Sequence, residues 1–146
     1  MKFKGHLAIA REFGALLAHG VSTHQALTPQ CLVPVPLHRA RLTARGFNQA
    51  LEIARPVAKA LSIPLDFTSC IRARNTAAQT VLPAKQRARN VRGAFRVRKP
   101  LPFKHVAIVD DVITTGHTAA ALARALRRTG IKQVDLWVCA RTVRDA

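Results

Sequence analysis

Apolar residues recur every three or four positions in three stretches of the chain. That spacing lets one side of a helix be buried, and it predicts helices at residues 6–19, 48–61 and 117–128. Gly20 and Gly130 are expected to end the first and third helices, and Asn48 to cap the second. Pro56 lies inside the second helix and predicts a kink or a restart there. Pro83 predicts a further short basic helix, reaching about residue 90.

Short apolar runs between these helices predict strands. The predicted strands are residues 31–35, 67–71, 94–97, 105–109 and 133–140. The strand at 105–109 does not alternate, as expected when both faces are buried. Residues 38–46 are predicted to be a basic polar loop. Residues 72–80 are polar without a period and are predicted to be an exposed loop. Because helices and strands alternate, we expect an α/β fold with a central, mostly parallel sheet flanked by helices, in one domain of residues 1–146.

The charge distribution indicates an anionic ligand. The chain has 24 Lys and Arg residues, seven acidic residues and a net charge of +17, and no acid lies between Asp66 and Asp110. Such a surface attracts phosphates, on a small molecule or on nucleic acid. The three scattered cysteines form no zinc or disulfide pattern. No apolar run is long enough to span a bilayer, and no signal peptide is recognisable, so we expect a cytoplasmic protein without a membrane partner.

One segment carries the candidate chemistry. The predicted strand at 105–109 is followed directly by two adjacent acids, Asp110 and Asp111. A threonine-rich turn that contains Gly116 then leads to the next predicted helix. The N-terminus of a helix suits a phosphate, the glycine permits close backbone approach, and carboxylates accept hydrogen bonds from vicinal ribose hydroxyls. A capped turn needs one acid, whereas two adjacent acids repel each other unless a ligand or metal compensates. We therefore predict a ribose 5-phosphate site.

The string VAIVDDVITTGHTA, from Val106 to Ala119, resembles the phosphoribosyl diphosphate signature of type I phosphoribosyltransferases. Residues 33–49, VPVPLHRARLTARGFNQ, resemble the ComF family of competence-associated phosphoribosyltransferase-like proteins, as does the stretch from Arg72 to Phe95. The three motifs occur in the family's order and cover nearly the whole chain. The resemblance implies the type I phosphoribosyltransferase fold.

The resemblance also implies roles for individual residues. Asp110 and Asp111 would hold the ribose hydroxyls, through Mg²⁺ or water. The 5-phosphate would lie against Val112, Ile113, Thr114, Thr115, Gly116, His117 and Thr118. The diphosphate loop would be Val35, Pro36, Leu37 and His38. A loop at residues 72–79 would close over the diphosphate, with Arg72 and Arg74 donating charge. Arg45, Asn48 and Gln49 match a family motif without an assigned role.

One departure concerns the N-terminus. Members of this family often begin with a cysteine-rich, zinc-binding segment, whereas this sequence starts at MKFKG without such cysteines. In type I enzymes a flanking hood covers the base or other nucleophile. We expect either that Met1 is a truncated or misassigned start or that this member lacks the hood. The acceptor substrate is left open in both cases.

Three functions follow from these patterns. The first is an enzyme that transfers the phosphoribosyl group of phosphoribosyl diphosphate to a nitrogen nucleophile with Mg²⁺. The second is a binding module in DNA uptake that contacts single-stranded nucleic acid, beside a competence helicase. The third is a structural subunit without turnover. The oligomeric state is left open, because the first helix could pair with another copy or only cover the sheet.

The aromatic residues bear on the second function. Single-stranded binding usually adds stacking aromatics to basic charge. Core positions are predicted for Phe13, Phe47, Phe67, Phe95 and Trp137, and exposed positions for Phe3 and Phe103. The sequence therefore predicts weak, salt-sensitive contact with nucleic acid.

Overall fold

The computed structural model describes residues 4–24, 27–76 and 83–142. Within these ranges, the elements in chain order are α1 (Lys4–Ser22), β1 (Cys31–Pro34), α2 (Arg39–Arg45), α3 (Gln49–Leu61), β2 (Cys70–Arg72), α4 (Ala84–Val91), β3 (Phe95–Val97), β4 (His105–Ile113), α5 (His117–Arg127) and β5 (Gln133–Arg141). None of the helices in these ranges has the length and apolar character needed to cross a membrane.

The main sheet is parallel, with β4 between β1 and β5. Leu65 extends it beyond β1, where Leu32 donates to the Pro64 carbonyl at 2.8 Å and Asp66 donates to the Leu32 carbonyl at 2.9 Å. Strands β2 and β3 form a separate antiparallel pair. The predicted central parallel sheet is thus confirmed, with a small antiparallel pair added to it.

Helices cover both faces of the sheet. Side chains alternate across a strand, so Val106 and Ile108 of β4 pack in the cluster with α5, while Ala107 and Val109 pack in the cluster with α1 and α3. All four are buried. This two-sided burial is the reason that the strand is apolar without alternation, as predicted.

Helices α1 and α3 approach closely at Gly14. A Cβ atom at Gly14 would lie 2.3 Å from Pro56 Cγ and 2.6 Å from the carbonyl oxygen of Ile53. Helix α3 continues through Pro56 from Gln49 to Leu61, so the alternative of a restart is wrong. The proline ring therefore fills the space that the glycine leaves open.

Two segments differ from the sequence predictions. The predicted loop at 38–46 contains helix α2, because His38 Nδ1 accepts from the Ala40 N–H at 3.2 Å and Gly46, at φ 86°, ends the helix. The predicted strand at 67–71 is reduced to β2, because Asp66 Oδ1 accepts from the N–H groups of Thr68 and Ser69 and holds a turn there. Local hydrogen bonds from side chains to the backbone determine the structure of both segments.

Candidate functional site

A cleft of about 480 Å³ lies at the carboxyl ends of β1, β4 and β5. This is the edge where α/β sheets place their ligands. The predicted site residues that line it are Val35, Leu37, Arg72, Asp110, Asp111, Val112, Ile113, Thr114, Thr115, Gly116, His117 and Thr118. The two predicted segments thus meet in one cavity.

The two acids lie within β4, which continues to Ile113 rather than ending before them. Asp110 Oδ1 accepts from the N–H of Asp111 at 2.9 Å, and Asp111 Oδ1 accepts from the N–H of Val112 at 2.8 Å. Both residues line the cleft. The end of strand β4 therefore brings two adjacent acids to one cavity.

Burial raises the pKa of Asp110 to about 7, the Asp111 charge adds to the increase, and the Arg72 charge opposes it. The adjacent acids thus repel each other, as the sequence indicates, and a cation or a hydroxyl-rich ligand would relieve that repulsion.

The N-terminus of α5 forms one wall of the cleft. Its N-cap residue, Gly116, has φ 80°, and no side-chain hydrogen bond caps the helix. The first backbone bond of the helix runs from the Ala120 N–H to the Gly116 carbonyl at 2.9 Å. The residues that precede it, 117–119, line the cleft at the positive end of the helix dipole. This wall can accept a phosphate.

The opposite wall is the N-terminus of α3. Asn48 Oδ1 accepts from the N–H groups of Ala50 at 3.0 Å and Leu51 at 3.4 Å, so the predicted cap is confirmed. Arg45 and Gln49 also line the cleft. The sequence left these three motif residues without a role, and only the capping position of Asn48 was recognisable from it. The structure places them opposite α5.

Arg72 is buried, with 7% of its surface exposed, although an exposed loop was predicted there. It lies in β2, where its guanidinium stacks 5.3 Å from the centre of the Phe95 ring and its Nη2 donates to Thr76 Oγ1 at 2.6 Å. Its Nε has no hydrogen-bond partner within the part of the chain that the structure describes. Burial, followed by the nearby Arg41 charge, lowers the pKa of Arg72.

Three predicted site residues lie outside the cleft. Pro36 and His38 line a second pocket instead, and the His38 ring is used to cap α2. The exposed Arg74 side chain donates from Nη2 to the Asn90 carbonyl at 2.7 Å, which turns it toward α4. Residues 77–79 of the predicted closing loop lie outside the described residues.

The aromatic residues also differ from their predicted positions. Phe13 and Phe67 are 42% and 49% exposed, so their assignment to the core is wrong. Phe103 packs partly buried against the core instead of standing exposed. Phe95 is buried as predicted, and Phe3 lies outside the described residues.

Mg²⁺ prefers oxygen ligands, and the cleft offers the carboxylates of Asp110 and Asp111. Among the described residues, no group of three or more His, Cys, Asp or Glu side chains could hold a metal ion. Mg²⁺ is commonly bound by one or two carboxylates together with substrate phosphates and water. Asp110 and Asp111 fit that smaller requirement, provided that a phosphorylated ligand supplies the remaining oxygens.

Comparisons with known proteins identify the family of this fold. Residues 48–144 match the phosphoribosyl transferase domain. The chain is 37% identical over 147 residues to DNA utilization protein YhgH of Escherichia coli strain K12, covering 98% of this chain and 65% of that protein. It is 35% identical to Competence protein F of Haemophilus influenzae, covering 96% of this chain and 64% of that protein. The chain therefore spans less than two thirds of the length of these relatives.

A solved structure supports the same fold. The allosteric regulatory enzyme of purine biosynthesis superposes with a TM-score of 0.60 at 22% identity, covering 92% of this chain and 26% of that chain. The central parallel sheet flanked by helices is thus the type I phosphoribosyltransferase fold.

Proposed function

The chain belongs to the phosphoribosyl transferase domain family, and we propose that it binds phosphoribosyl diphosphate with Mg²⁺ in the cleft. The observation that carries the proposal is that Asp110 and Asp111 line the same cavity as the N-terminus of α5. Carboxylates suit ribose hydroxyls and the helix N-terminus suits the 5-phosphate. Both features line one cavity, and the ligand carries ribose hydroxyls and a 5-phosphate on one sugar.

The diphosphate is assigned to the opposite wall. Arg45 and Gln49 line that wall beside the N-terminus of α3, and Arg72 adds a buried positive charge. Pro36 has no N–H to donate, and neither it nor His38 lines the cleft. Val35 and Leu37 line the cleft, so we propose that the diphosphate lies against residues 45–50 and Arg72 instead of Pro36 and His38. Asp110 and Asp111 would hold Mg²⁺, which supplies positive charge to the phosphate oxygens.

The reaction that this placement supports is phosphoribosyl transfer. The bond from the ribose C1 to the diphosphate oxygen breaks, a bond from C1 to a nitrogen nucleophile forms, and diphosphate leaves with the electron pair. Positive charge fixed in a buried site stabilises such a leaving group more than it would in water. Arg72 meets that requirement because Phe95 and Thr76 hold its guanidinium in place.

Calorimetric titration of phosphoribosyl diphosphate with Mg²⁺ tests the binding step. At about 150 mM salt the Debye length is about 8 Å, so diffuse attraction to the basic surface is largely screened. We expect saturable binding to the wild type and at least a 10-fold loss in Asp111→Asn. Glu12→Gln makes the same change of charge on the exposed side of α1 and should bind normally. Equal binding by all three proteins would refute the site.

Turnover needs a separate measurement. Release of diphosphate is followed in the presence of candidate amines and nitrogen bases, for the wild type and Asp111→Asn. Ligand-dependent release that the variant lacks would support an enzyme. Tight binding without release to any acceptor would support a binding protein or a structural subunit instead.

A second candidate is a module that contacts single-stranded nucleic acid during DNA uptake, beside a competence helicase. The charge of +17 and the lack of acids between Asp66 and Asp110 favour it, and two relatives are named for DNA utilization and competence. Binding of a labelled oligothymidylate is measured at about 50 and 200 mM salt. Contact through the basic surface alone should weaken steeply over that range.

A further inference from the structure

A second pocket, of about 760 Å³, adjoins the cleft. It lies between α2, the N-terminal part of α3 and the β2–β3 pair, and it shares Leu37, Asn48 and Arg72 with the cleft. We call it the arginine pocket, because Arg39, Arg72, Arg96 and Arg98 line it. Of the residues assigned to phosphoribosyl diphosphate, Gly46, Phe47, Asn48 and Arg72 line this pocket as well, whereas Asp110, Asp111 and the turn before α5 line the cleft alone.

The charges of the arginine pocket are unbalanced. The one carboxylate among its described lining residues is Glu52, whose Oε1 already pairs with Arg55 Nε at 3.4 Å. Within the described residues, no arginine of the pocket forms a salt bridge. Arg98 donates from Nη2 to the Thr68 carbonyl at 3.3 Å, a neutral partner. The pocket therefore presents positive charge that no carboxylate of its described lining neutralises.

Arg72 adds a second observation. Its side chain is more than nine-tenths buried, it lines the arginine pocket, and its Nε lacks a partner in the described part of the chain. A buried donor without an acceptor costs free energy. An anionic ligand in either of the two cavities that Arg72 lines would stabilise its buried charge.

The remaining walls are apolar and aromatic. Phe67 and Leu42 line the pocket with 49% and 42% of their surfaces exposed. The guanidinium of Arg55 lies 5.2 Å from the centre of the Phe67 ring, which restrains the ring's orientation. An exposed, restrained aromatic ring beside arginines suits a ligand that carries both a flat base and a phosphate.

We propose that the arginine pocket binds a nucleoside phosphate, at a site separate from the phosphoribosyl cleft. The base lies against Phe67 and Leu42, and the phosphate lies against Arg96 and Arg98. The volume falls within the range of pockets for small ligands, roughly 300–1,000 Å³. The nucleotide is either free or part of a single strand, and the experiment distinguishes the two sources.

The test is fluorescence anisotropy with a methylanthraniloyl-labelled guanosine monophosphate at about 150 mM salt. The pocket variants are the double substitution Arg96→Gln with Arg98→Gln and, separately, Phe67→Ala. All three side chains are exposed, so folding should be retained, and circular dichroism checks this. The matched control is Arg127→Gln with Arg128→Gln, which removes two exposed charges at the C-terminal end of α5, away from the pocket.

We expect Phe67→Ala to raise the Kd about 10-fold, in the range that one base-aromatic stack contributes. The Arg96 and Arg98 variant should raise it about 10-fold or more, because it loses charge-assisted hydrogen bonds to the phosphate. The control pair and Asp111→Asn should bind as the wild type does, and phosphoribosyl diphosphate with Mg²⁺ should not displace the probe. Probe binding that is unchanged in the pocket variants would overturn the proposal. So would displacement by phosphoribosyl diphosphate together with loss in Asp111→Asn, which would place the nucleotide in the cleft.

The source is distinguished by comparing unlabelled guanosine monophosphate with a single-stranded oligonucleotide as competitors. Displacement by the mononucleotide supports a pocket for a free nucleotide, and stronger displacement by the oligonucleotide supports a pocket for one unit of a strand. Failure of the mononucleotide to bind at all would contradict the pocket. The calorimetric titration of the cleft, repeated on the Arg96 and Arg98 variant, shows separately whether the proposed function holds.

Discussion

The side chain of Asn48 joins the N-terminus of α3 to the chain that leaves β1: its Nδ2 donates to the carbonyl oxygen of Val35 at 3.0 Å. Its Oδ1 at the same time caps α3 through the N–H groups of Ala50 and Leu51. One amide thus fixes the N-terminus of α3 against the chain that leaves β1. A residue that could do only one of these things would leave the cleft less rigid.

Substitution of Asn48 separates the cap from this connection. Asn48→Ser keeps a capping oxygen but loses the donor to Val35, and Asn48→Ala loses both. We expect Asn48→Ala to lower the free energy of unfolding by about 1–2 kcal/mol and Asn48→Ser to lower it by less. Urea titration with fitted midpoints and slopes measures this. Both variants should bind phosphoribosyl diphosphate more weakly, and normal binding by Asn48→Ser would show that the connection to Val35 is dispensable.

The raised pKa of Asp110 predicts a pH dependence of stability. Its pKa is about 7 in the folded protein against about 3.9 for an unperturbed carboxyl. Because the folded pKa is the higher one, its contribution to stability is fully present below about pH 4 and is lost as the pH rises through 7. Asp110→Asn should therefore be more stable than the wild type at pH 8, by a few kcal/mol at about 1.4 kcal/mol per pKa unit.

The measurement is thermal and urea unfolding without ligand at pH 4, 6 and 8. The advantage of Asp110→Asn should shrink toward zero at pH 4, where the wild-type carboxyl is protonated. Glu12→Gln, on the exposed surface of α1, should show no comparable trend. A gain in Asp110→Asn that does not change with pH would contradict the assigned burial of this carboxyl.

Much of the fold could be predicted from the sequence, because burial of one face of a helix or of both faces of a strand leaves a recognisable pattern of apolar residues. Helix α3 and strand β4 have such patterns, and both lie within a few residues of their predicted bounds. Helix α2 could not be predicted, since it has no buried residues and hence no apolar period, and the His38 ring decides where it begins. Predicting this helix would have required knowledge of the His38 hydrogen bond, because the apolar pattern gives no sign of it.

The candidate site likewise has a part that the sequence predicts and a part that it does not. Residues 110–118 are contiguous in sequence, so one motif predicts both the acid pair and the turn that leads to α5. Arg72 and Asn48 reach the cleft through partners distant in sequence, Phe95 and Val35 respectively. A polar stretch such as residues 72–76 is predicted to be exposed unless the residues that cover it are known. Tertiary contact therefore decides the burial of Arg72.

The contact between α1 and α3 predicts opposite effects for two glycines of the same helix. A Cβ at Gly14 would lie 2.3 Å from Pro56 Cγ, whereas a Cβ at Gly20 would meet nothing within 4 Å. We expect Gly14→Ala to lower the free energy of unfolding by about 1–3 kcal/mol through overpacking, and Gly20→Ala to raise it by about 0.5–1 kcal/mol through helix propensity. Urea unfolding of both variants checks this. A stabilised Gly14→Ala would mean that α1 can shift away from α3 at little cost.

Substitution of Gly116, in the turn before α5, is predicted to weaken ligand binding as well as to strain the backbone. Gly116 and Gly93 have φ values of 80° and 66°, so alanine at either position is strained, at about 1–2 kcal/mol. At Gly93 a Cβ would meet nothing within 4 Å, whereas at Gly116 it would lie 3.4 Å from Ile113 Cδ1, inside the cleft wall. The two substitutions should therefore lower the free energy of unfolding by similar amounts. Only Gly116→Ala should also weaken phosphoribosyl diphosphate binding, roughly 10-fold or more, because it obstructs the approach of the phosphate to the helix N–H groups. Calorimetric titration of both variants with Mg²⁺ makes the comparison, and equal affinities for the two would place the phosphate away from this turn.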